Sequence, residues 1–216
     1  MRTGELIDLL ASDPVAPRPH LVWRRLGWAM VIGFLVAALL IVSLFSALSD
    51  RSLLAGVTDP RTLRKIGFVL SVVGVAAWAA ARLGQPGLRL GRPGRLLLAA
   101  PFIVMALWGV AEIAVADPEW RMRLWFGWTW AVCPFLILGA SLPALGACLW
   151  AMRGLAPTRL RAAGAAAGML AGAVGALAYA LFCREPGAAY LATWYLAGML
   201  LPAGAGALLG PPVLRW

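Results

Sequence analysis

Histidine occurs once in this chain of 216 residues, lysine once and cysteine three times, and only nine residues are acidic. Each scarcity removes a class of chemistry. A single histidine, His20, cannot build a multi-histidine metal site or a histidine proton relay. There is no glycine-rich nucleotide loop, no nucleophile elbow and no pair of carboxylates inside an apolar run. Charged residues make up 13% of the chain, about half of what a soluble domain carries. The stretches between apolar runs are too short to fold into a water-soluble catalytic domain, and no cofactor is expected.

What the chain does have is six long apolar runs, at 26–48, 66–83, 96–115, 133–152, 162–182 and 190–209. About 20 apolar residues in a helix cross a hydrocarbon core of roughly 30 Å. The expected fold is therefore all-α, a polytopic bundle of six transmembrane helices. Residues 1–25 form a hydrophilic N-terminal segment, 26–209 the membrane domain and 210–216 a short tail. The first run is too long for a signal-peptide core and no small-residue cleavage site follows it, so it is read as a retained span. Net charge is +10, from 18 arginines and Lys65 against nine acids. These cations are spread over every connection rather than gathered on one face, so they are read as a topology signal and not as a nucleic-acid surface. Twelve fall on the side of the termini and seven on the other, while Asp50, Asp59, Asp117, Glu119 and Glu185 fall opposite the termini. The positive-inside rule then places both termini in the cytoplasm.

The N-terminal segment opens with TGELIDLLASD. Thr3 can cap a short helix, Glu5 suits its positive end, and Leu6, Leu9 and Leu10 share one face. Three prolines in DPVAPRPH then break the helix and lead, extended, to the membrane. A helix this short is marginal alone in water, so it requires a partner surface. In 116–132, four tryptophans lie within 11 residues, the chemistry of a membrane interface, with an aromatic ligand site as the functional alternative. Gly164, Gly168 and Gly172 put a smooth stripe on the fifth run, where another helix can approach closely. Pro143 and Pro202 fall inside the fourth and sixth runs. Glu112 is the one acid within a run. It lies a turn from the outer end and is read mainly as structural.

Cys133 opens the fourth run and Cys183 closes the fifth, both at the outer face. Cys148 lies 15 residues beyond Cys133, roughly 22 Å along a helix, and cannot pair with either. Three small buried hydrophobes are one reading. The shared depth of Cys133 and Cys183 supports another: two thiols that can form a disulfide or hold a soft metal ion.

Four tracts carry a likeness to a known family: ELIDLLASD, WTWAVCP, LAPTRLRAAGAAAGMLAGAVGALAYALFC and WYLAGMLLPAGAGALLGPPVLRW. In these the chain resembles, end to end, the NrsF-like negative regulators of extracytoplasmic-function sigma factors, which are six-helix membrane anti-sigma factors. The resemblance implies a protein that holds its sigma factor at the bacterial inner membrane and releases it on an external stress signal. It implies signal-sensing roles for Cys133 and Cys183, and sigma-factor binding by the N-terminal segment, here assigned to Leu6, Ile7, Asp8 and Leu10. The partners implied are the sigma factor and the lipid bilayer. Family members often carry histidine just before the second cysteine, where this chain has Phe182, so histidine-assisted thiol activation does not carry over. Two other classes compete. A membrane thiol oxidoreductase would show a C-x-x-C pair, which is absent, and a small transporter would show polar groups at mid-membrane and matched broken helices.

Overall fold

The computed structural model describes residues 19–46, 60–183, 185 and 187–215. Seven helices account for nearly all of them: α1 (Pro19–Ser46), α2 (Pro60–Leu83), α3 (Arg92–Val115), α4 (Pro118–Phe126), α5 (Cys133–Arg153), α6 (Leu160–Ala180) and α7 (Ala188–Leu214). All but α4 are long and apolar enough to cross a membrane, and no strand occurs among the described residues. The long helices alternate in direction. The end of the bundle that carries Pro19 and Arg215 is called the near end below, and the opposite one the far end.

The helix bounds differ from the apolar runs where proline chemistry intervenes. α1 starts at Pro19, seven residues before its run, because proline at the first helical position loses no hydrogen bond. The last proline of the tract read as extended thus begins a helix. α7 continues through Pro211 and Pro212 to Leu214, and the carbonyls these prolines leave free lie in its last two turns. The tryptophan-rich stretch is partly helical. α4 begins at Pro118 after Asp117, carries Glu119 in its first turn and Arg123 in its last, and buries none of its residues. Arg123 stacks over Trp120 and Trp128, at 5.5 and 4.1 Å from the ring centroids. A short exposed helix with such rings and charges suits the headgroup layer.

Helix α6 is the centre of the bundle. Of its 21 residues 16 are buried, and it packs on α7, α5, α2 and α1. Its alanine and glycine surface is the reason: backbones without bulky side chains approach closely. The glycine stripe faces α7. A Cβ on Gly164 would collide with the Gly206 backbone, one on Gly168 with Pro202 and Ala203, and one on Gly172 with Pro202 and Met199. Gly206 and Gly210 return the contact, against Gly164 and Leu160. α5 is met instead through Gly175, against Ser141 and Ile137. α3 is peripheral. Only Gly94, Met105 and Gly109 of it are buried, and Ile103, Val104, Leu107 and Val110 face outward, as in a helix solvated by lipid.

Candidate functional site

At the far end the tips of α2, α3, α5, α6 and α7 enclose a polar cluster. Helix α6 ends at Ala180, and its chain tightens through Phe182 and Cys183, whose N–H groups both donate to Tyr179 O at 3.0 Å. The carbonyls of such a helix end lack partners within the helix. Lys65, in the second turn of α2, supplies one: its Nζ donates to Cys183 O at 2.5 Å. Lys65 is only 2% exposed, so this ammonium is held inside the protein at the negative end of a helix dipole. Its ionisable neighbours are Cys183, Glu185 and Cys133.

Glu185 is also buried, and accepts hydrogen bonds from Trp128 N at 2.6 Å and Thr129 Oγ1 at 3.5 Å. Gly127 makes room for it. The backbone there has φ +58°, and a Cβ would stand 2.6 Å from Glu185 Oε2. Thr129 Oγ1 also bonds Tyr190 Oη at 2.9 Å. Tyr190 precedes, and Tyr195 ends, a π-helical turn, Leu191–Tyr195, that interrupts the start of α7. Such a turn carries one extra residue and re-aims side chains. Here both rings are turned into the bundle, with Tyr195 centred 5.9 Å from Tyr179 and 6.4 Å from Tyr190. The Tyr195 hydroxyl is buried without a hydrogen-bond partner among the described residues.

Cys133 and Cys183 enter this cluster together. Cys133, fully buried at the first position of α5, and Cys183, partly exposed, are free thiols. Tyr179, Tyr190 and Tyr195 each neighbour both. Among the described residues no group of three histidine, cysteine or carboxylate side chains converges as a metal would require. Cys148 is buried towards the near end of α5 with neither of the others beside it. Glu112 is a structural device: it accepts from Ala188 N, the first residue of α7, at 2.6 Å, and pairs with Arg64 at 3.8 Å. A carboxylate at a helix start satisfies an orphan donor and the dipole at once. Leu6, Ile7, Asp8 and Leu10 lie outside the described residues.

Sequence reasoning missed Lys65, Glu185 and the tyrosines. Rarity was the available signal, since the only lysine and all three tyrosines of the chain meet around two of its three cysteines. Deeper in the bundle the hydroxyls of Ser71 and Ser141 are bonded to carbonyls of their own helices, at 2.6 and 2.7 Å.

A profile of the family described as "Negative regulator of sigma F", NrsF, matches residues 10–216. The chain belongs to the NrsF family. Across its full length it is 40% identical to the probable anti-sigma-F factor NrsF of Azospira oryzae, over 218 residues, and 35% identical to the anti-sigma-F factor NrsF of Caulobacter vibrioides, over 221 residues; both of those chains are covered completely. No solved structure matches. The NrsF profile begins at Leu10, so three of the four residues assigned to sigma-factor contact precede it, while the two full-length likenesses include them.

Proposed function

We propose that this NrsF-family chain is an anti-sigma factor of the bacterial inner membrane. It holds an extracytoplasmic-function sigma factor on the cytoplasmic side and lets it go when a signal arrives at the other face. The observation that carries the reading is the end-to-end likeness to two anti-sigma-F factors. The polar cluster supports a sensor at the far end. Two thiols sit among buried groups that tie α2, α5, α6 and α7 to one another, so a bond between them, or a shared soft metal ion, would act on all four helices. Leu6, Ile7, Asp8 and Leu10 are the proposed grip on the sigma factor, and the packing of Gly164, Gly168 and Gly172 on α7 is the proposed route between the two ends.

Co-purification of the sigma factor with the membrane protein, with and without inducing stress, tests this. Leu6→Glu with Leu10→Glu should release the sigma factor in both conditions, because roughly 3–6 kcal/mol of burial is lost. Cys133→Ser and Cys183→Ser should each keep it bound under stress, and the double change should add little to either. Cys148→Ser should behave as the unchanged protein. Independent, additive effects of Cys133 and Cys183 would defeat the paired-thiol sensor, and undiminished binding by the leucine variant would remove the proposed grip.

A further inference from the structure

Helices α1 and α5 touch where Gly33 meets Ala144, at 2.6 Å from a Cβ placed on the glycine. The space between them is a groove of about 450 Å³, lined by Arg24, Arg25, Trp28, Ala29 and Ile32 of α1 and by Ala147 and Trp150 of α5. Its mouth is cationic and its floor apolar. The Arg25 guanidinium lies over Gly154, just past the end of α5, where any Cβ would collide with it, so this arginine roofs the groove from one helix to the other. From Arg25 down to Ile32 is seven residues, about 10 Å along the helix. Trp28 and Trp150 are 63% and 77% exposed, so the walls open to the surroundings of the bundle.

Among the described residues the charges at this end are of one sign. The four carboxylates at described positions, Glu112, Asp117, Glu119 and Glu185, belong to the far end, whereas the near end carries ten described arginines and none of them. A ligand here must bring negative charge to Arg24 and Arg25 and hydrocarbon to Trp28, Ile32 and Trp150. An extended peptide strand in the groove would leave its backbone groups without partners at the depth of Ile32, whereas an acyl chain has none to satisfy. We infer that the groove is a binding site for an anionic phospholipid, with the phosphate between Arg24 and Arg25 and the upper part of one acyl chain between Trp28 and Trp150. Basic pockets between membrane helices select acidic headgroups in this way.

Native mass spectrometry of the full chain in a non-ionic detergent, titrated with phosphatidylglycerol or with phosphatidylcholine of the same acyl chains, tests the site. Phosphatidylglycerol should be retained in preference. The double variant R24Q/R25Q should lose about 30-fold in its affinity. R89Q/R92Q, which removes two arginines of the same end away from the groove, should keep it. Ala147→Trp, or the milder Ala147→Leu, should fill the groove and expel the lipid while the helical content stays unchanged. Equal retention of the two lipids, equal losses in the two arginine pairs, or full retention by the filled variants would each overturn the site. So would a gain in phosphatidylglycerol affinity on removing residues 1–18, which would make that segment the occupant.

Discussion

Lys65 shows how one residue joins elements far apart in the chain. Its ammonium closes the end of α6 from α2, and its burial means that the bond is not shared with water. Lys65→Met would leave the Cys183 carbonyl without its donor and Glu185 without its buried cationic neighbour. A hydrogen bond to a charged group contributes about 1.5–3 kcal/mol, and removing one member of a buried set costs more than deleting the whole set. The variant should therefore melt earlier in detergent than the unchanged protein. A melting temperature that stays the same or rises would mean that relief of the buried charge outweighs the lost bond. The cation could not be placed from sequence. Next to Arg64 in a basic stretch it reads as one more interfacial charge, because sequence carries hydropathy but not depth, and only the crossing of α2 with the end of α6 takes it inside.

At the scale of elements, the six spans were legible because crossing a membrane demands some 20 apolar residues and leaves a long, unmistakable run. Their partners were less so. The stripe at Gly164, Gly168 and Gly172 was visible, but the helix it meets was not, since four-residue spacing says that something approaches and not what. The answering residues, Pro202, Gly206 and Gly210, repeat the same spacing on α7. Helix α4 was missed because nine residues with three charges and two tryptophans carry no apolar run, and none of them is buried in the bundle. The pairing of α6 with α7 makes a sharp expectation. Gly204 and Gly206 are two residues apart on one helix, yet a Cβ on Gly204 meets nothing while one on Gly206 strikes the Gly164 backbone. Gly206→Ala should destabilise the protein by about 1–3 kcal/mol, as overpacking does, and Gly204→Ala should be neutral or mildly stabilising. Thermal unfolding of the two variants side by side checks this, and equal shifts would contradict the packing.

At the scale of the whole molecule, charge divides the protein. The described carboxylates gather at the end with Cys133 and Cys183, and arginines dominate the end with Pro19 and Arg215. By the positive-inside rule the near end should face the cytoplasm. A reporter active only in the cytoplasm should work when fused after Trp216 and fail when fused at Asp59; activity at Asp59 would reverse the orientation. The π-helical turn of α7 has a consequence for comparing this chain with its relatives. One extra residue at Leu191–Tyr195 rotates Tyr190 by about 100° relative to an unbroken helix. A relative with a one-residue deletion there would keep the same hydropathy and the same Gly206 contact, yet its first turn would present a different edge to the bundle. An alignment drawn on hydropathy alone would pair its residues correctly below the turn and put them one place out above it, so columns upstream of Leu191 and downstream of Tyr195 must be aligned separately.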